Sequence, residues 1–114
     1  MSEMTILCVE DQSDYMATLT WMLEGIGYEV MHASNGGQAI DLLASHTVDG
    51  VLLEHNLRDA NGIALRAQLK AMRPDIPVLL FEGIGSQTPV MLRFFDAYLQ
   101  KKERPGNELG DLEG

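Results

Sequence analysis

Acidic side chains stand at the ends of three apolar segments of this sequence. Glu10 and Asp11 follow the first segment, Glu54 ends the second, and Glu82 follows the third. Carboxylates that come within a few ångströms of one another raise one another's pKa unless a cation offsets their charge. Mg²⁺ prefers such oxygen ligands, and Lys101 lies farther along the chain, where it could join the acids. The pattern is equally compatible with a divalent-cation site and with separately solvated loop acids on an acidic protein.

The apolar segments that carry these acids alternate with helical patterns. Strand-like runs occupy residues 5–9, 28–33, 51–54 and 76–81. Between them, apolar residues recur at spacings of three and four, which is typical of amphipathic helices. Strands and helices that alternate with short connections predict a parallel sheet with right-handed crossovers and helices on both faces. The carboxyl ends of the strands in such a sheet share one edge, which would bring the strand-end acids together.

Residues 88–102 admit two interpretations. Thr88-Pro89 is typical of a helix start, and the apolar residues that follow keep helical spacing, so one helix could run to about Lys102. Alternatively, a short helix ends near Phe95 and residues 97–100 form a fifth strand. The pattern alone does not separate the two. Beyond residue 104 the chain is acidic and contains glycine, which predicts a tail or the stub of a last helix over residues 105–114.

The bulk composition describes one acidic globular domain. Of 114 residues 46% are hydrophobic, and 17 acids against 8 Lys and Arg give a net charge of −9. That charge disfavours direct binding to nucleic acid or to an anionic membrane, because both present negative phosphates. No apolar run reaches the roughly 20 residues of a membrane span and the N-terminus lacks a signal-peptide pattern, so we expect a cytoplasmic protein. Cys8, the single cysteine, lies in a strand-like apolar run and is expected in the core.

Four blocks of the sequence, residues 6–12, 49–62, 76–81 and 95–101, resemble the receiver domain of two-component response regulators. The blocks occur in the family's order, and the similarity covers residues 4 to about 102. The resemblance implies a flavodoxin-like fold: a doubly wound, five-stranded parallel sheet of strand order 2-1-3-4-5 with helices on both faces. It favours the fifth strand and a receiver-like domain over residues 1–104, with the fifth helix truncated or absent.

The resemblance also implies a role for individual residues at the shared edge. Glu10 and Asp11 match the acidic pair that holds Mg²⁺ in the family. Asn56 matches the residue whose backbone carbonyl binds the metal. Lys101 matches the lysine that contacts the phosphoryl group, and Tyr98 matches the aromatic switch residue that turns inward on activation.

Two positions depart from the family pattern. The phosphoacceptor of the family is aspartate, and Glu54 stands there, completing the set of implied metal ligands. Glu82 replaces the Ser or Thr that donates to the phosphoryl oxygen. Phosphoryl transfer depends on positioning and charge neutralisation, and a misplacement of about 1 Å can cost on the order of 10²-fold in rate. Both changes therefore argue against ordinary phosphorylation.

These departures predict a degenerate receiver, or pseudo-receiver. Such a chain would be a phosphorelay signalling module, not an enzyme, that acts by protein–protein interaction with Glu54 as a partial phosphomimic. The expected partner is a sensor kinase or an output protein. A homodimer could cover the sheet face that a truncated fifth helix leaves bare. The alternative is a receiver that still phosphorylates itself slowly with Mg²⁺.

Overall fold

The computed structural model describes residues 4–103 of the chain. Within them, four β-strands alternate with four α-helices. In chain order the elements are β1 (Thr5–Val9), α1 (Ser13–Ile26), β2 (Glu29–Ala33), α2 (Gly36–Ser45), β3 (Gly50–Glu54), α3 (Gly62–Met72), β4 (Val78–Phe81) and α4 (Thr88–Glu103). The tail or truncated fifth helix predicted over residues 105–114 lies outside the described residues.

The four strands form one parallel sheet in the order β2-β1-β3-β4. β1 and β3 occupy the centre, and every residue of β3 is buried. This position accounts for their continuous apolar sequences, because a central parallel strand is covered on both faces. The predicted doubly wound, flavodoxin-like arrangement is thereby confirmed for the first four strands.

The core has a helix layer on each face of the sheet. Leu7 and Val9 of β1 belong to one buried cluster with apolar residues of α2 and α3. Side chains alternate between the faces of a strand, so Ile6 and Cys8 point to the opposite face. α1 contacts β1 and β2, and its buried leucines are separate from that cluster. Cys8 is fully buried, which confirms its expected place in the core, and this burial raises the pKa of its thiol to about 12.

Two asparagines fix the starts of α2 and α3. Asn35 Oδ1 accepts a hydrogen bond from Gln38 N at 2.8 Å. Asn61 Oδ1 accepts from the N–H groups of Ile63 and Ala64 at 2.8 and 3.1 Å. These bonds satisfy amides that have no partner within their own helix. Asn61 also fixes the end of the loop that returns from β3.

The fifth strand predicted over residues 97–100 is wrong, because that stretch belongs to α4. The other interpretation of the pattern, one continuous helix, is the observed one. Leu92, Phe95 and Leu99 recur at spacings of three and four, and no glycine or proline interrupts residues 90–103. Lys101 and Lys102 lie in the last turn, where positive charge favours a helix terminus. The described part of the sheet therefore ends at β4.

The chain divides into two compact units, one through Ile84 and one from Gly85. The first unit contains the sheet with α1, α2 and α3, and hence all the strand-end acids. The second contains α4 with Tyr98 and Lys101. None of the helices within residues 4–103 has the length and apolar character needed to cross a bilayer.

Candidate functional site

Glu10 and Glu54 lie side by side at the carboxyl ends of the two central strands. Val9 of β1 pairs with Leu53 of β3, so the residues that follow them, Glu10 and Glu54, lie at the same edge of the sheet. Both residues are inside the protein, with Glu10 1% exposed and Glu54 4% exposed. Two carboxyl groups placed in this way interact strongly, because little water screens their charges.

The Glu54 carboxylate is held by two backbone amides. Its Oε2 accepts a hydrogen bond from Asn56 N at 2.9 Å, and its Oε1 accepts one from Gly83 N at 2.8 Å. Glu54 pairs with Phe81 of the neighbouring strand β4, and Gly83 lies two residues after Phe81 in the chain. Gly83 has a φ of +64°, a left-handed conformation that glycine adopts without strain. Glu54 therefore joins the loops that follow β3 and β4.

The surroundings of Glu10 raise its pKa. Its Oε2 accepts a hydrogen bond from Gln12 N at 3.0 Å, whereas its Oε1 is buried without a donor from the described residues. Burial, and then the charge of Glu54 and a hydrogen bond to its side chain, raise the pKa of Glu10 from 4.5 to about 7. The Gln12 amide opposes this shift, and the charge of Asp11 adds to it. The folded protein therefore holds a proton on Glu10 up to a higher pH than an ordinary glutamate would.

Asp11 binds the loop that follows β3. Its Oδ2 accepts a hydrogen bond from Arg58 N at 2.7 Å. The loop closes at Gly62, whose N–H donates to the His55 carbonyl oxygen at 2.9 Å. A Cβ at Gly62 would lie 2.6 Å from His55 Cα, so only glycine fits there. Asp11 and Gly62 together fix the loop that carries Asn56.

Glu82 lies outside the buried group. Its side chain is 64% exposed, and its Oε2 is 4.0 Å from His55 Nε2. The part of this loop that enters the site is instead the N–H of the next residue, Gly83. Sequence reasoning missed this amide, although a glycine directly after a strand-end acid was the available signal.

Tyr98 and Lys101 lie on α4, in the second unit. The roles of Tyr98 and Lys101 were implied by a family resemblance in which residues 97–100 form a fifth strand. Those residues are helical instead. Residues three apart on a helix are surface neighbours, and Tyr98 is 55% exposed. Their assignments as switch residue and phosphoryl contact stay predictions.

The acidic edge lacks the donor arrangement of a magnesium site. Mg²⁺ requires about six oxygen ligands in near-octahedral geometry. Across residues 4–103, no group of three or more His, Cys, Asp and Glu side chains is placed to hold a metal ion. The oxygens of Glu10, Asp11 and Glu54 accept hydrogen bonds from backbone N–H groups instead. Together with Asn56, these side chains do not fit a magnesium ion as they stand.

Comparison with known proteins gives a consistent family match. Residues 6–104 match the response regulator receiver domain family. The transcriptional regulatory protein ZraR of Escherichia coli K12 is 35% identical over 81 residues, which cover 71% of this chain and 18% of ZraR. The chain therefore spans less than a fifth of the length of that curated relative.

Two solved structures of one response regulator resemble the chain. TrrA from Thermotoga maritima in complex with Mg(2+)-BeF is 26% identical, with a TM-score of 0.65 over 68% of this chain and 67% of TrrA. TrrA in complex with the histidine kinase ThkA is matched at 25% identity, with a TM-score of 0.66 over 69% and 68% of the two chains. Receiver relatives therefore share this fold, and one of them was solved with magnesium and with a kinase.

Proposed function

Because the chain belongs to the response regulator receiver domain family, we propose that it is a degenerate receiver of a two-component phosphorelay. It is not phosphorylated in the ordinary way, and it acts by presenting its surface to a protein partner. It catalyses no reaction of its own. The family's fold is retained, and its phosphoacceptor chemistry is lost at Glu54.

The two amide bonds to Glu54 carry this proposal. A phosphoacceptor carboxylate must present one oxygen in line with the incoming phosphorus. Here both oxygens accept N–H groups, at 2.9 and 2.8 Å, and the residue is 4% exposed. Attack by either oxygen would disturb a hydrogen bond to a charged group inside the protein, which is worth roughly 1.5–3 kcal/mol. Glu54 is therefore suited to holding the edge together and poorly suited to accepting a phosphoryl group.

The same bonds support Glu54 as a partial phosphomimic. Its carboxylate extends beyond β3 and binds the Gly83 amide in the loop after β4. It holds that loop with one negative charge, whereas a phosphoryl group would bring a charge of about −1.5 to −2 and three acceptor oxygens. Glu82, one residue before Gly83, adds an exposed negative charge that repels an incoming dianion.

Intact mass spectrometry after incubation with acetyl phosphate and Mg²⁺ tests the proposal. The native chain is expected to keep its mass. A double variant, Glu54→Asp with Glu82→Thr, restores the residue types of the family and is expected to gain a phosphoryl adduct. Glu29→Asp shortens an exposed glutamate of β2 and is the matched control, which should stay unmodified. A phosphoryl adduct on the native chain would contradict the proposal.

The alternative function is a receiver that still phosphorylates itself with Mg²⁺. The observation that favours it is Glu10 Oε1, a buried oxygen without a donor among the described residues, which a cation could satisfy. The raised pKa of Glu10, caused first by burial and then by Glu54, supports an account of the same oxygen without a metal, because a protonated carboxyl group carries no charge for a cation to offset. The mass measurement on the native chain decides between the two functions.

The proposed partner is a sensor kinase or an output protein. A kinase is supported by the receiver relative TrrA, which was solved with the histidine kinase ThkA. An output partner is supported by the relative ZraR, a transcriptional regulatory protein. A homodimer is a second proposed mode of association. The net charge of −9 disfavours direct contact with nucleic acid or an anionic membrane, and we place the chain in the cytoplasm.

A further inference from the structure

Four backbone N–H groups surround the acidic edge of the sheet. They donate to the three carboxylates as follows: Gln12 N to Glu10 at 3.0 Å, Arg58 N to Asp11 at 2.7 Å, and Asn56 N and Gly83 N to Glu54 at 2.9 and 2.8 Å. We infer that these four amides, the amide collar, close the edge to divalent cations, so that the domain holds its signalling conformation without Mg²⁺. This independence from metal deepens the proposed function and rests on it.

The amide collar has the polarity of an anion site. Each N–H group presents its positive end to its acceptor oxygen, and a cation bound to the same oxygens would face several positive ends at short range. Glu10 and Glu54 are buried, so little water would weaken that repulsion. Carboxylates that turned toward a cation would also break the three partly buried hydrogen bonds from Gln12, Asn56 and Gly83, and N–H groups left without acceptors there are costly. The chain's own carboxylates therefore fill an arrangement that suits anions.

Two carboxylate oxygens of the acidic edge lie outside the four hydrogen bonds, Glu10 Oε1 and Asp11 Oδ1. Glu10 Oε1 is buried without a donor among the described residues. Two such oxygens leave most of the roughly six ligands of Mg²⁺ to water, and because Mg²⁺ dehydrates reluctantly, the buried Glu10 Oε1 is a poor ligand for it.

The length of the Glu54 side chain determines whether the amide collar closes the edge to divalent cations. An aspartate is one methylene shorter, which withdraws the carboxylate by about 1.5 Å, the length of a C–C bond. From there it would lose the Gly83 amide, which Glu54 reaches at 2.8 Å. A shortened side chain would free one carboxylate oxygen and open one side of the amide collar.

Magnesium titration of the full, ¹⁵N-labelled chain tests the inference. In the native chain, the amide signals of Gln12, Asn56 and Gly83 are expected to keep their positions when MgCl₂ is added at millimolar concentration. The melting temperature is expected to match that in NaCl of equal ionic strength, because only a ligand of the folded state raises it. Glu54→Asp is expected to gain about ten- to a hundredfold in Mg²⁺ affinity, because the freed oxygen no longer has to give up a hydrogen bond to a charged group before it binds the cation. Glu29→Asp, the matched control, should behave like the native chain.

Each outcome has a distinct meaning. Magnesium-dependent shifts of the three amide signals in the native chain, or a rise in its melting temperature above the NaCl value, would overturn the inference. If Glu54→Asp showed no gain in Mg²⁺ affinity, the length of the Glu54 side chain would not be what closes the edge to the cation. A native chain that binds Mg²⁺ but takes no phosphoryl group would overturn this inference and leave the proposed function standing. A phosphoryl adduct that forms only with Mg²⁺ would overturn both.

Discussion

Glu54 and Glu82 are chemically identical side chains at the ends of neighbouring strands, and the protein treats them in opposite ways. Glu54 is 4% exposed, and its two oxygens accept two backbone amides. Glu82 has a side chain that is 64% exposed, with an oxygen 4.0 Å from the His55 ring. The difference lies in the backbone around them, since the loop amides converge on the end of β3. The residue type at a strand end therefore does not decide its role; the N–H groups that point at it do.

Glu54→Ala should give the largest difference between the two positions. Removing the carboxylate takes the acceptor away from two partly buried hydrogen bonds, those from Asn56 N and Gly83 N, and a hydrogen bond to a charged group is worth about 1.5–3 kcal/mol. We expect the free energy of unfolding, measured by urea denaturation, to fall by about 3 kcal/mol. Glu82→Ala, one strand away, should change it by less than about 0.5 kcal/mol, as exposed positions usually do. Equal losses of unfolding free energy in the two variants would contradict the different roles of the two side chains.

A pH-dependent stability should follow from Glu10, whose pKa Glu54 helps to raise. The folded-state pKa of about 7 lies above the ordinary value of 4.5, so the folded protein binds this proton more tightly than the unfolded chain does. The resulting stabilisation is complete below about pH 4.5 and is lost as the pH rises through about 7. From about pH 5.5 to about pH 7.5 the expected loss is roughly 2 kcal/mol.

Urea denaturation across this pH range measures the effect. The native chain and Glu82→Gln should both lose stability as the pH rises, whereas Glu10→Gln, which carries no titrating proton, should lose much less. A Glu10→Gln variant that kept the native slope would assign the titration to another group.

Gly83→Ala should give a smaller loss of unfolding free energy. This substitution tests the backbone conformation of the loop without changing its charges. Gly83 has a φ of +64°, and an added Cβ would make only an ordinary contact with Tyr15 at 3.8 Å. The expected cost in unfolding free energy is therefore the left-handed conformation alone, about 1 kcal/mol. Gly85→Ala is the matched control, because no atom of residues 4–103 beyond its two chain neighbours lies within 4 Å of the Cβ that the alanine would add, and the φ of Gly85 is not left-handed. A loss at Gly85 equal to that at Gly83 would show that the left-handed turn is not what the substitution disturbs.

The sequence was sufficient to predict the sheet and the meeting of its acids. Continuous apolar runs before Glu10 and Glu54 indicated central strands, and parallel topology then placed both residues at one edge. The hydrogen bonds that distinguish Glu54 from Glu82 could not be predicted in the same way. The bond from Gly83 N is made at a left-handed turn, and a glycine permits that conformation without requiring it.

Residues 97–100 form part of a helix and not the expected strand for a different physical reason. Their resemblance to a receiver's last strand favoured a strand, while Phe95 and Leu99 keep the spacing of a helix. Alanine, leucine and glutamine in this stretch are good helix formers, and α4 already begins at Thr88. A strand would have required the helix to end and the chain to turn within a segment that contains no glycine or proline.

The proposed role of Glu54 as a partial phosphomimic depends on its two hydrogen bonds. Scalar couplings across a hydrogen bond, measured by NMR between an amide nitrogen and the acceptor's carbon, detect such bonds directly. Couplings from Asn56 N and Gly83 N to the Glu54 carboxyl carbon are both expected in the native chain near neutral pH, without Mg²⁺ or a phosphate donor. A Gly83 amide that shows no coupling and exchanges with solvent as fast as an exposed loop amide would contradict the claim.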